Sequence, residues 1–196
     1  NICIISSVSH VSTKSIVNFF KNLKLKVLNI NVSNVPKYIK FKYKSRQLGA
    51  DRIANTFAAI KKYKNNILVI DFGTATTFDI IINNIYEGGV ITPGIKISLD
   101  SLVERASKLK IIKIIKTKKI IGQNTQDSMQ SGFYWGYVSL INGLIEKIIK
   151  NNQIKPKIIL TGGLAKVFKD EILYETFYEP NLTLHGLYLI GISKYA

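Results

Sequence analysis

The chain has 196 residues, 46% of them hydrophobic, and a formal net charge of +16 from 28 Lys and Arg against 12 Asp and Glu; that is enough apolar content for an unstapled core and too much for a disordered chain. A single cysteine, Cys3, excludes an intramolecular disulfide framework and a cysteine zinc site and points to the cytoplasm, and no apolar run has the length of a membrane span. The basic residues are dispersed lysines plus Arg46, Arg52 and Arg105, without the arginine forks and interleaved aromatics that nucleic-acid binding favours, so the charge predicts attraction for anionic ligands and no nucleic-acid partner.

NICIISSV at the start reads as a strand, Thr13 to Leu23 as a short helix with Ile16, Phe19 and Phe20 on one face, and LKVLNINV as a second strand. The opening residues have no basic n-region or cleavage site, so they do not read as a signal peptide. They also lack an initiator Met, and the chain is expected to be short of an N-terminal piece. Pro36 to Gln47 reads as a loop carrying Tyr38 and Tyr43. A helix is predicted from Ala50 to Tyr63, where Ile53, Ala54, Phe57, Ala58 and Ile60 recur at helical spacing. Asn65-Asn66 ends it. Three strands follow, Ile67 to Ile70, Thr76 to Ile82 and Tyr86 to Ile91, with turns at Gly73 and Asn83-Asn84. Pro93-Gly94 opens a helix through Lys108, and Lys110 to Ile121 is extended or irregular. Asn124 or Thr125 caps a long helix from Gln126 to Lys150, interrupted by Gly132, Gly136 and Gly143. KIILTGG is a strand running into a glycine turn, with a helix from Leu164. A short strand near Thr176 to Tyr178 and a terminal helix after Thr183, read as its N-cap, complete the chain. The helix end at Tyr63 to Asn66 suggests two domains, 1–64 and 65–196.

Five stretches carry candidate chemistry. VIDFGTATTFDI, residues 69 to 80, is either a hairpin with a solvated Asp71 or a phosphate and cation site. In the second reading Gly73 gives backbone access, Thr74, Thr76 and Thr77 donate, and Asp71 holds a cation. LGADRIAN puts Asp51 and Arg52 at a helix start. There a carboxylate complements the helix dipole, or takes a proton from a hydroxyl while the arginine holds an anion. GGVITPG is a glycine-rich passage from strand to helix. IGQNT is a helix cap or an anion contact. LTGGLA, with Gly162 and Gly163, is a turn that suits a nucleotide packed on bare backbone.

Taken in order, these motifs resemble the type III pantothenate kinases. The likeness covers nearly the whole chain and is carried by LGADRIAN, VIDFGTATTFDII, GGVITPGIKIS, ERASKL, IGQNTQDSMQSGFYWGY and NLTLHGL. It implies an α/β fold of two RNase H-like, actin-like ATPase domains around a cleft, the first incomplete at its N-terminus. It implies ATP-dependent phosphorylation of pantothenate to 4'-phosphopantothenate, the first step of coenzyme A synthesis, with Mg²⁺ and a monovalent cation, K⁺ or NH4⁺, in a homodimer. By matching motifs Asp51 would be the general base. Gly49, Ala50, Arg52 and Thr125 would line the pantothenate site, with Arg52 on its carboxylate, and Tyr43 would join them. Asp71 would bind the monovalent cation, and Gly73 and Thr74 the ATP phosphates. Gly162 and Gly163 would form the adenosine-side turn. Two features depart from the family pattern. Lys110 stands where proline is common, and no DxGNT-like phosphate loop is present, from which weak ATP binding and negligible turnover are expected. The alternatives are a non-catalytic regulatory scaffold of the same fold, like the Bvg accessory factor, and a related kinase acting on another small alcohol. The long helix through Gly132, Phe133, Tyr134, Trp135 and Gly136 is either the dimer contact or an internal core helix.

Overall fold

The computed structural model describes residues 2–7, 10–36, 39–43 and 47–195, so Tyr38 and Arg46 lie outside the described residues. In chain order the elements are β1 (Ile2–Ile5), α1 (His10–Asn22), β2 (Lys26–Asn29), β3 (Lys40–Phe41), α2 (Ala50–Tyr63), β4 (Ile67–Phe72), β5 (Ala75–Ile82) and β6 (Ile85–Pro93). There follow α3 (Ile95–Arg105), α4 (Thr125–Asn152), β7 (Lys157–Thr161), α5 (Ala165–Phe168), β8 (Thr176–Tyr178) and α6 (Leu182–Tyr195). The α/β class and most of the expected elements are present.

Four expectations need correction. The loop expected between Pro36 and Gln47 contains β3, two residues that pair in parallel with Ile85 and Tyr86 of β6. The helix expected through Lys108 stops at Arg105. The helix expected from Leu164 is a single turn, α5. Thr183 is not the N-cap of the last helix; it lies inside α6, and its hydroxyl donates to Asn55 Oδ1 at 2.7 Å.

The described residues form two sheets. β1 and β2 pair in parallel, Ile2 opposite Lys26 through Ile5 opposite Asn29, with α1 as the crossover that parallel strands require. The larger sheet has the order β3-β6-β5-β4-β7-β8. Two-residue connections, Gly73-Thr74 and Asn83-Asn84, join β4 to β5 and β5 to β6, so these neighbours run antiparallel. Asn83 and Asn84 have φ of 51° and 63°, the left-handed pair that a tight hairpin needs and asparagine tolerates. Their turn is tied down by Asn83 N–H on Asn66 Oδ1 and Asn84 N–H on the Asn65 carbonyl.

Packing divides the chain into two units that are discontinuous in sequence. The first comprises residues 1–69, 79–89 and 181–196. Its core is α2, buried along Arg52 to Ile60, against which α6 packs. Phe57, Ile53 and Ala58 are wholly buried. The second comprises residues 70–78 and 90–180. There α4 buries Ser131, Tyr134, Tyr137, Val138, Ile141, Ile145 and Ile148, one stripe at helical spacing. Phe168 is fully buried and gathers Phe72, Tyr134 and Tyr137 at ring separations of 5.7, 5.5 and 5.2 Å. Gly132 and Gly136 of α4 are exposed. The helix is therefore a core helix on one face and open on another.

Candidate active site

In the first unit the sequence LGADRIAN folds as the start of α2, with Gly49 before it and Ala50 as its first residue. Asp51, half-buried, sits in the first turn, where its charge complements the helix dipole. Its Oδ1 accepts the backbone N–H of Arg52 at 2.8 Å. Arg52 turns inward and is only 5% exposed. Its Nε donates to Asp79 Oδ1 at 2.8 Å, and Nη2 lies 2.8 Å from the same oxygen. The Tyr86 hydroxyl donates to that oxygen too, at 2.7 Å. The guanidinium carbon is 5.8 Å from the centre of the Tyr43 ring and 6.0 Å from that of Tyr86, and the two rings meet edge to face.

The electrostatics of this cluster follow from burial. Desolvation pushes the Asp79 carboxyl above its usual range, while Arg52 and the Tyr86 hydroxyl pull it down and the nearby Asp51 carboxylate adds repulsion. Desolvation alone would lower the Arg52 pKa, but Asp79 outweighs it and leaves it raised. Burial, and then Asp79, drive the Tyr86 phenol far above its ordinary value, so it stays a donor. The two partners thus pull in opposite senses: the Arg52 shift favours the ion pair and the Asp79 shift opposes it. Two nitrogen donors and a phenol converging on one oxygen make the ionised pair the state the geometry fits.

Of the residues expected to meet the substrate, Tyr43, Gly49, Ala50, Asp51 and Arg52 lie on or beside α2 in the first unit, and Thr125 lies in the second. The motifs give Asp79 and Tyr86 no role. The signal for Asp79 was a carboxylate inside an otherwise apolar strand, where a charge is costly unless paired.

In the second unit, VIDFGTATT folds as the end of β4, a two-residue turn and the start of β5. Gly73 N–H donates to the Ala75 carbonyl at 3.2 Å, so the hairpin reading is correct for the backbone. Asp71 is half-buried at the end of β4, and Gly73 and Thr74 are exposed. The expectation that three threonine hydroxyls face a ligand is corrected. Thr76 is 1% exposed, and its hydroxyl is hydrogen-bonded to that of Tyr137. Thr77 is also buried, so of the three only Thr74 faces solvent. Gly162 has φ of +91°, and a Cβ there would lie 2.5 Å from both Asp71 Oδ1 and the Phe72 nitrogen. Bare backbone at Gly162 is therefore needed for β4 to approach. A Cβ on Gly94 would sit 2.2 Å from the Thr74 carbonyl oxygen, so the GGVITPG passage packs directly under the turn. Gly163 differs: it is exposed, and nothing lies within 4 Å of an added Cβ.

Thr125, also in the second unit, is the exposed first residue of α4. The cap is Asn124, whose side chain accepts the Asp127 N–H at 2.9 Å. Thr125 lines a cavity of about 130 Å³ with Lys108, Lys110, Ile112 and Met129. Among the described residues no group of three or more His, Cys, Asp or Glu could hold a metal ion, and no helix is long and apolar enough to cross a membrane.

Known proteins resemble this chain throughout its length. The family model of the type III pantothenate kinases matches residues 1–147. A type III pantothenate kinase of Pelagibacter ubique (strain HTCC1062) is 40% identical over 188 residues, covering 95% of this chain and 75% of that protein. One from Syntrophotalea carbinolica (strain DSM 2380 / NBRC 103641 / GraBd1) is 42% identical over 150 residues, covering 76% of this chain and 59% of that protein. Among solved structures, a conserved protein of Campylobacter jejuni assigned to the Baf family of transcriptional activators superimposes with a TM-score of 0.67 at 23% identity, over 100% of this chain and 84% of its own. That likeness carries the fold alone, and it agrees with the α/β, actin-like ATPase class. With the family's motifs folded as a helix start carrying Asp51 and Arg52 and a strand end carrying Asp71 that runs into the tight Gly73-Thr74 turn, the chain belongs to the type III pantothenate kinases, the family that phosphorylates pantothenate with ATP in coenzyme A synthesis.

Proposed function

We propose that Asp51 is the general base of that reaction in this chain. Its carboxylate takes the proton from the pantothenate hydroxyl as the oxygen bonds to the γ-phosphorus of ATP and the bond to the bridging oxygen of ADP breaks. The observation that carries this is the start of α2, where Asp51 is half-buried at a helix N-terminus beside a buried, fixed arginine. Arg52, with Tyr43, Gly49 and Ala50 around it, receives the pantothenate carboxylate, and Thr125 contacts the same substrate. Gly73 and Thr74 meet the ATP phosphates, and Gly162 and Gly163 form the turn on the adenosine side. The open space over Gly163 and the exposed Gly73-Thr74 turn fit a nucleotide laid on bare backbone.

A cation set fits in the same way. A single carboxylate, Asp71, stands at the end of β4 beside glycines, which suits a monovalent ion held by few protein oxygens. Mg²⁺ has no cage of carboxylates among the described residues and would ride mainly on the phosphates, neutralising their charge when bound. Phosphoryl transfer asks the protein chiefly for positioning and charge neutralisation; here the glycine turns would position the nucleotide and the cations, when bound, would neutralise its charge. The exposed face of α4 at Gly132 and Gly136 is the proposed homodimer contact. Residues 1–64, a partial N-terminal RNase H-like domain, and 65–196, the C-terminal one, are the proposed domains, and the cytoplasm is the proposed location, with neither nucleic acid nor membrane as partner.

The test is ATP-dependent phosphorylation of pantothenate, followed by product mass in potassium and magnesium, with Asp51→Asn alongside. Turnover is expected to be low, in keeping with the weak ATP binding expected from the sequence, and to vanish in D51N while pantothenate binding is retained. Turnover by D51N at the unaltered rate removes Asp51 from the base role.

A further inference from the structure

Arg52 does not hold its place by itself. Its side chain crosses from α2 to β5, a partner 27 residues away in sequence. There the edge formed by Nε and Nη2 is taken up by one carboxylate oxygen. Asp79 is 0% exposed, and Tyr86, also 0% exposed, clamps the same oxygen through its hydroxyl. A planar fork held along one edge can present its remaining donors in only one direction.

We infer that Asp79, locked by Tyr86, is a positioning residue for substrate recognition: it orients the Arg52 guanidinium so that the free edge meets the substrate's carboxylate. The inference rests on the reading of Arg52 as the group that receives that carboxylate. Asp79 touches neither substrate nor reacting atoms and acts only through the arginine. A charge-conserving scaffold role would make Asp79 matter equally for every ligand. A positioning role makes it matter only for ligands with a carboxylate.

Binding of pantothenate, and of pantothenol, in which an alcohol replaces the carboxylate, is measured by calorimetry on the chain and on D79N, R52A, the double variant and Y86F. Asp79→Asn keeps the shape and removes the charge. D79N is expected to weaken pantothenate about tenfold or more and pantothenol less than about twofold, the loss of one well-placed charged contact. R52A shows the same pattern, and the double variant loses no more than R52A, because contacts acting through one group do not add. Y86F gives a smaller loss with the same selectivity and serves if D79N does not fold. Equal weakening of both ligands, additive losses in the double variant, or an unchanged D79N would overturn the positioning role while leaving Arg52 in place. No preference of the unaltered chain for pantothenate over pantothenol would instead overturn the role of Arg52, and that of Asp79 with it.

Discussion

Replacing Gly162 by alanine and, separately, Gly163 by alanine places the same methyl group on adjacent residues of one turn. At Gly162 the backbone has φ of +91°, and the new Cβ meets Asp71 Oδ1 and the Phe72 nitrogen at 2.5 Å and the Phe72 carbonyl carbon at 2.7 Å. Holding an L-residue at positive φ costs about 1–2 kcal/mol. Overlap with strand backbone, which cannot rotate away as a side chain can, adds about 1–3 kcal/mol. The sum, about 2–5 kcal/mol, is a large part of a typical stability of about 5–15 kcal/mol. At Gly163 the Cβ meets nothing within 4 Å, and stability should change by less than about 0.5 kcal/mol. Urea unfolding followed by circular dichroism reads both. If G162A unfolds at the unaltered midpoint, or G163A falls as far as G162A, the close approach of the glycine turn to β4 is not what the residue is for. A kinase assay adds the functional half: G163A, stable as it is, should raise the KM for ATP and leave that for pantothenate alone.

Phe168→Ala removes the ring on which Phe72, Tyr134 and Tyr137 converge, and its cost should be about 3–5 kcal/mol in the same unfolding experiment; a loss under about 1 kcal/mol would mean that the second unit does not pack around it. Asn124→Ala deletes the cap of α4 and should cost about 1 kcal/mol, read as an earlier thermal midpoint with helix content retained. Tyr137→Phe strips the hydroxyl partner of buried Thr76 and should cost about 1–3 kcal/mol, the penalty of a buried hydroxyl left without its bond; an unchanged midpoint would mean Thr76 finds another acceptor.

Elements governed by their own residues were legible in the sequence. α2 runs over the same Ala50–Tyr63 span that its apolar spacing predicts, because one face is apolar throughout and Asn65-Asn66 stops it. The meander was legible because a tight turn at Asn83-Asn84 announces itself in residue type. What sequence did not show depends on distant partners. β3 exists only because β6 accepts it, and two residues have no period to read. Thr183 looks like a cap until Asn55, 128 positions earlier, takes its hydroxyl. Thr76 looks like a ligand contact until Tyr137 of α4 covers it. The site divides in the same way. Asp51, Arg52, Asp71 and Thr74 are candidates from local motifs, whereas Asp79 and Tyr86 declare themselves only once β5 and β6 lie beside α2. Glycines were recognised as special but for an incomplete reason: Gly94 and Gly162 serve contacts within the protein.

The discontinuity of the first unit also constrains the order of events during synthesis. Its body is made by residues 1–69 and its remaining strand segments by 79–89, yet it takes α6, residues 182–195, packed along α2. A chain leaving the ribosome has made α2 more than a hundred positions before the helix that covers it, with the whole of the second unit in between. The face of α2 that α6 covers must therefore wait while the second unit, residues 70–78 and 90–180, is translated. At about 5–20 residues per second that interval is on the order of ten seconds. A chaperone that shields α2 would find its substrate in that window, and closing the long loop on α6 is the step that folding speed would be set by.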